Sequence, residues 1–256
     1  MAHNYLWYQG IPFPAVGYNP QVIKAAHEKL VLKDEDVPQI SKGDPEWIWS
    51  EPFWDGSPWM ETEHGSKIIK DKKEGPPSSP PTSPCNSSPK SFFTSKAKVI
   101  YIIRNPKDVL VSGYHFWGGS KYMKNPQSLQ QYYGSSKAVG WMSMREKGNM
   151  LELSYEVLKK DTRSTVEKIC QFLGKKLDPE ELDLFLENSS FHAMKENTMS
   201  NYSMANKNNF PVGIIMTRKG IVGDWKNHFT VTQAEDFDKI LWEKMAGFPP
   251  ALFPWD

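Results

Sequence analysis

Three short segments of the chain carry residue types that can hold a phosphorylated ligand. The first is "RKGIVGDWKNHFT", Arg218–Thr230. Arg218 can grip a phosphate with two parallel N–H donors, and Lys219 adds a point charge. Gly220 has no Cβ and lets the backbone come close to a ligand, so that neighbouring N–H groups complete an anion site. The second is "IIRNPKDVLVSGYHFW", where Arg104 ends an apolar run and Ser112 falls two turns into the segment that follows. In open α/β sheets, ligands bind at the carboxyl ends of strands, and an arginine and a serine placed there can share one phosphate. The third is "SYE", Ser154–Glu156, with a tyrosine at another strand end. Each segment taken alone also suits a plainer role: a basic surface turn, a solvated arginine with a packing serine, or a core tyrosine.

The segments need elements to position them. "KVIYIIRNP" (Lys98–Pro106) is a short β-branched, apolar run and predicts a buried strand. A helix follows with Pro106 in its first turn. "NMLELSYE" (Asn149–Glu156) predicts a second strand. "DTRSTVEKICQFLGK" has Val166, Ile169, Cys170 and Leu173 at helical spacing and Gly174 as a stop. Asp178, Pro179 and Glu181 are a cap, a first-turn proline and an acidic third position. A last helix is expected from Thr232, with Glu235 three residues on, burying Phe237, Ile240, Leu241 and Met245. The first 60 residues are aromatic-rich and punctuated by proline, with one helix expected over Pro20–Leu32. Alternation of strand and helix predicts an α/β fold with a parallel sheet.

The chain has 256 residues with 39% hydrophobic and 13% aromatic content, enough for one large core and read as a single domain over 1–256. A net charge of +1 gives no broad field for nucleic acid or a membrane surface, so neither is expected as a partner. Two cysteines, Cys85 and Cys170, exclude a disulfide scaffold and any zinc pattern, and suit a reducing compartment. Neither a secretory signal nor an apolar run long enough to span a bilayer is present, so a cytoplasmic protein is expected. The tract "GPPSSPPTSPCNSSPK" (Gly75–Lys90) has the composition of a linker, and residues 68–90 are expected to be disordered.

Taken together, the segments resemble the cytosolic sulfotransferases, most closely their hydroxysteroid and bile-acid branch. The matching pieces include "KSFFTSKAKVIYIIRNPKDVLVSGYHFW", "SYEVLKKDT", "TVEKICQFLGKKLDPEEL", "NSSFHAMKENTMSNYS", "RKGIVGDWKNHFTVTQAEDF" and "LFPWD", and they cover nearly the whole chain. The resemblance implies a parallel sheet flanked by helices, related to that of P-loop nucleotide kinases. It implies sulfo transfer from 3′-phosphoadenylyl sulfate to a hydroxyl of a steroid, bile acid or similar small hydrophobic alcohol, without a metal. By position, Arg104, Ser112, Arg218, Lys219 and Gly220 would hold the 3′-phosphate. Tyr155, Ser189, Ser190, Phe191 and Met194 would line the adenosine. "KNHFTVTQAE" resembles the family's dimerisation signature, with Lys226, Thr230, Val231 and Glu235 at its characteristic positions, which implies a homodimer.

The chain departs from the family pattern at two places that do chemistry. The family's phosphate-binding turn, of the type TYPKSGTNW, follows its first strand. Here "KDEDV" (Lys33–Val37) runs through "PQI" into "SKGD" (Ser41–Asp44), so the strand, the turn and the following helix are expected to be missing. The family's catalytic histidine lies in a segment close to LFSSHLPMQLFPK, and by position Thr82 stands in its place. A threonine hydroxyl cannot serve as a base near neutral pH. Codons for Pro77–Lys90, read one base out of phase, permit LFSSHLPMQLFPK in full, so the tract reads as a frame-displaced version of that segment. On this reading the chain is a sulfotransferase by descent with weak or no turnover. The alternative is a non-catalytic protein that keeps bisphosphate binding or serves as a dimer partner. "SLQQYYGSSKAVGWMSMR" (Ser128–Arg145) and "SMANKNNFPVGIIMTRKG" (Ser203–Gly220) also depart, and leave the acceptor open. His64, His115, His192 and His228 do not sit at the histidine's position, and His115 is expected at the core or its boundary.

Overall fold

A computed structural model describes residues 5–8, 11–14, 21, 98–118, 149–201, 203, 204, 217–246 and 255. The expected helix over Pro20–Leu32, the 68–90 segment, Thr82, Cys85 and His64 lie outside the described residues, Gln21 excepted. Near the N-terminus, β1 (Tyr5–Tyr8) pairs antiparallel with β2 (Ile11–Pro14), a hairpin that the proline-punctuated aromatic pattern did not suggest.

The sheet that positions the candidate site is formed by β3 (Val99–Ile103) and β4 (Met150–Ser154). They pair in parallel from Val99 opposite Met150 to Ile103 opposite Ser154, so both strands end at the same edge. Each is followed by a helix, α1 (Pro106–Gly118) after β3 and α2 (Tyr155–Lys160) after β4. The second strand stops two residues earlier than expected. The Ser154 side chain accepts a hydrogen bond from the Val157 N–H, and this cap turns Tyr155 and Glu156 into the first turn of α2. β3 is less enclosed than a buried strand, since Ile102 is 46% exposed.

The helices α3 (Thr162–Leu173) and α4 (Pro179–Asn188) follow the expected pattern. Val166, Cys170 and Leu182 form a buried cluster, with Leu177, Phe185 and Leu186 against it. Gly174 closes α3 in the left-handed conformation, and Asp178 and Glu181 form a reciprocal capping box. The Lys98 ammonium donates to the Phe172 carbonyl at 2.7 Å, tying the end of α3 to the start of β3. After α4, Ser190 caps the short α5 (Phe191–Glu196).

The last helix, α6 (Val231–Met245), starts earlier than expected. Thr230, not Thr232, is the cap, and Gln233, not Glu235, completes the capping box. A Thr-x-x-Gln pattern satisfies the same two orphan amides as Thr-x-x-Glu, and the proline-free stretch before it allows either register. Phe237 is buried as expected, whereas Ile240 is 39% exposed, so the buried stripe is narrower than the apolar spacing suggests.

Candidate functional site

The site forms where the two parallel strands end. Arg104 follows β3, and Tyr155 follows β4 one position further along the matching register. The Arg104 guanidinium lies 4.4 Å from the centre of the Tyr155 ring, a cation–π stack. One terminal nitrogen of Arg104 donates a long 3.4 Å bond to the Ile221 carbonyl, while its buried Nε has no hydrogen-bond partner among the described residues. A buried, unspent guanidinium N–H fits an anionic ligand better than a packing role.

The bond to Ile221 brings in the segment that starts at Arg218. Gly220 has φ +64, a conformation that glycine tolerates and other residues rarely adopt. A Cβ built there would lie 2.3 Å from Cδ2, 2.7 Å from Cε2 and 2.9 Å from Cγ of Phe191. The phenyl ring at the start of α5 thus rests directly on the Gly220 backbone. Four segments far apart in sequence therefore meet: Arg104, Tyr155, Phe191 and Arg218–Gly220. Ser112 and Met194 lie on the flanking helices α1 and α5. Ser112 shares a face of α1 with His115, three residues on. The hydroxyls of Ser189 and Ser190 are engaged locally. Ser189 donates to the Leu186 carbonyl at 3.3 Å, and Ser190 accepts from the Ala193 N–H at 3.2 Å.

The two cations of the segment are not loose. Asp224, 2% exposed in its side chain, accepts from Arg218 at 2.5 Å and from Lys219 at 2.8 Å. It also accepts from the Asn227 amide at 3.0 Å and faces His228 Nε2 at 3.1 Å. Lys219, Asn227 and Arg218 together hold the Asp224 carboxyl well below the usual carboxylate range. One carboxylate against two permanent cations leaves a net positive charge, with Arg218 keeping further N–H donors for a ligand. His115, expected at the core or its boundary, is exposed. Its ring stands edge-on to that of His228 at 5.3 Å. What burial it has, followed by Arg218 and His228, pushes its imidazole below the ordinary value. His192 is exposed on α5, 3.4 Å from Glu196.

Two residues that the sequence reading did not single out organise this arrangement. Asp224 gathers the cations. Asp108, in the first turn of α1, accepts from the Gly223 N–H at 2.7 Å and the Trp225 N–H at 2.9 Å. Lys107 beside it donates to Asp238 at 2.6 and 2.7 Å, with its ammonium 4.2 Å from the centre of the Trp225 ring. The partners of Asp108 and Lys107 lie more than a hundred residues away and leave no local spacing by which to find them, whereas those of Asp224 lie within six residues, inside the cation segment itself.

Comparison with known proteins decides the family, because residues 30–249 match the model of the sulfotransferase domain. The chain belongs to the sulfotransferase family. The 3-beta-hydroxysteroid sulfotransferase of Cavia porcellus is 52% identical over 286 residues, covering 100% of this chain and 99% of that one. Sulfotransferase 2A1 of Macaca fascicularis is 50% identical and that of Homo sapiens 48%, each over 100% of both chains. With 286 aligned positions against the 256 residues here, about thirty positions of these sulfotransferases have no counterpart in this chain. Among solved structures, the mouse sulfotransferase SULT7A1 complexed with PAP has a TM-score of 0.74 at 22% identity, over 98% of this chain and 99% of that one. This likeness supports the α/β sulfotransferase fold, with its parallel strands and flanking helices. Among the described residues, no group of side chains could hold a metal ion and no helix is long and apolar enough to cross a membrane.

Proposed function

We propose that this sulfotransferase keeps the 3′-phosphate half of a 3′-phosphoadenylyl sulfate site and transfers sulfo groups slowly. The carrying observation is the meeting of Arg104, Tyr155, Phe191 and Arg218–Gly220 at the paired ends of two parallel strands. In this reading Arg104, Ser112, Arg218 and Lys219 bind the 3′-phosphate, and the Gly220 backbone approaches it closely. Tyr155, Phe191 and Met194 line the adenosine, with Ser189 and Ser190 beside them. The co-substrate supplies the sulfo group when bound. The acceptor is a hydroxyl of a steroid-type alcohol, a reading supported by the name of the Cavia porcellus relative. Thr82 stands where the resemblance places the general base, and loss of such a base costs about 10²–10⁴-fold in rate.

The remaining parts of the reading are a single domain over 1–256, a disordered 68–90 segment, a cytoplasmic location and a homodimer. Exposure of Lys226, Val231 (76%) and Glu235 supports the dimer, while Thr230 is engaged as the cap of α6. A second reading, a bisphosphate-binding protein without turnover, is favoured by Thr82 itself.

Two measurements on the full chain test both readings: thermal protection by adenosine 3′,5′-bisphosphate, and transfer of labelled sulfo groups to a 3β-hydroxysteroid. Protection with slow transfer is expected. Protection without transfer selects the second reading, and no protection overturns both.

A further inference from the structure

We infer that Asp108 is a positioning residue of the 3′-phosphate site, acting through the backbone of Gly223–Trp225 and the carboxylate of Asp224 on Arg218 and Lys219. The inference rests on the phosphate reading proposed above. An acidic residue at the third position of a helix ordinarily reaches back to the N–H of its own cap. At α1 that duty has passed to another element. The Asn105 N–H donates to Glu156 Oε1 at 2.8 Å, and Glu156 is itself held by the Ser154 hydroxyl at 2.7 Å. Asn105 Oδ1 still accepts from the Lys107 N–H at 2.9 Å, so the helix start is satisfied without Asp108.

Asp108 is thereby free, and it is 1% exposed. Both its oxygens point across to the loop and accept from Gly223 and Trp225. Gly223, with φ +83, leads into a single 3-10 turn, Asp224–Asn227. Amides that converge in this way form a nest for an anion, and the Asp108 carboxylate fills it. Asp224 lies between the two bonded amides, so fixing their direction fixes its side chain. Its oxygens in turn hold Arg218 and Lys219. The relay sets the cations relative to α1, and thus relative to Arg104 at the end of the preceding strand.

The test compares two nucleotides by calorimetry on the full chain: adenosine 3′,5′-bisphosphate and adenosine 5′-phosphate. In Asp108→Asn the side-chain oxygen can accept one N–H, while its NH2 faces the other donor. The dissociation constant for the bisphosphate is expected to rise about tenfold, and that for the 5′-phosphate to stay within about twofold. A second variant, Gly223→Ala, strains the donating amide through its φ of +83 without touching α1, since its Cβ meets nothing within 4 Å. It is expected to give the same selective loss, smaller in size. Equal weakening of both nucleotides in either folded variant would reduce Asp108 to a purely structural role and overturn the inference. Unchanged preference for the bisphosphate overturns it too, and if Asp108→Asn does not fold, Gly223→Ala alone decides. A wild-type chain that binds both nucleotides equally sinks the phosphate reading itself, and the inference with it.

Discussion

Replacing Gly220 by alanine tests the contact that joins the cation segment to α5. Two costs add. A non-glycine residue at φ +64 loses about 1 kcal/mol. The new Cβ also meets three ring atoms of Phe191 closer than 3.0 Å. Rotating the ring about χ2 clears Cδ2 and Cε2 but leaves Cγ, at 2.9 Å, where it is. Relief therefore needs a change of χ1 or a shift of α5, a form of overpacking that costs about 1–3 kcal/mol. For a chain of this size, a total of about 2–4 kcal/mol lowers the unfolding midpoint by about 5–15 °C. The assay is thermal unfolding of Gly220→Ala, Phe191→Ala and the double variant. Phe191→Ala removes the clashing ring but not the backbone strain. The double variant should lose about 1–3 kcal/mol less than the sum of the single losses. Additive losses, or a Gly220→Ala midpoint within about 2 °C of wild type, would refute the packing of Phe191 on Gly220.

Three further outcomes follow from the same geometry. The Asp224 carboxyl is held low in the folded chain by Lys219, Asn227 and Arg218, so the stability it confers is full above the unfolded value near 4 and drains as pH falls below it. The urea midpoint of wild type should fall between about pH 5 and pH 3 more steeply than that of Asp224→Asn, and equal slopes refute the pairing. His115 is pushed down by its partial burial, Arg218 and His228, so a phosphate at Arg218 should raise it and draw in a proton. Calorimetry near pH 6.5 in buffers of differing protonation enthalpy should register that uptake with the bisphosphate and lose it in His115→Asn. Lys107→Met removes the ion pair with Asp238 and the stack on Trp225 at once, and should cost about 1–3 kcal/mol in thermal unfolding. Asp238→Asn should cost less, because Asp238 is more than a third exposed and solvent screens its charge.

The parts of this fold that were legible in the sequence are those governed by neighbours in the chain. Proline at the start of α1 and α4, the Asp178–Glu181 box and Gly174 at the end of α3 each act within one turn, so their spacing betrays them. Register is harder where two caps compete, as Thr230 and Thr232 do. The turn from β4 into α2 was also hidden, because Ser154 reads as strand until its hydroxyl is seen to cap. In the candidate site, Arg104, Tyr155 and Arg218–Gly220 were named from their residue types and Phe191 from the resemblance to the sulfotransferases, and the four meet. Asp108 was passed over because its effect is on amides 115 and 117 residues away. An acidic residue in a first helical turn looks like a dipole complement, and nothing local says that its oxygens are turned elsewhere.

The Gly75–Lys90 tract carries the last prediction, and it is decided by bases. If the tract is a displaced reading of LFSSHLPMQLFPK, its serines cannot be coded freely. Ser78, Ser79, Ser83, Ser87 and Ser88 must use TCN codons, since AGY in any of them breaks the shifted reading. Pro81 must be CCC for the shifted frame to give histidine at the Pro81–Thr82 junction, and Pro84 must be CCA to give methionine. Sequencing the transcript across the codons for Trp59–Phe93 checks all of these at once, and the codons for Val31–Trp47 show whether the phosphate-binding turn is encoded. Agreement at every position means that the bases still carry the family's histidine segment. Restoring the frame should then return a base to the site and raise sulfo transfer by about 10²-fold or more. One AGY serine, or a Pro84 codon other than CCA, leaves the tract as an insertion in its own right. Slow transfer would then have no base to account for it, and the bisphosphate-binding reading would stand in its place.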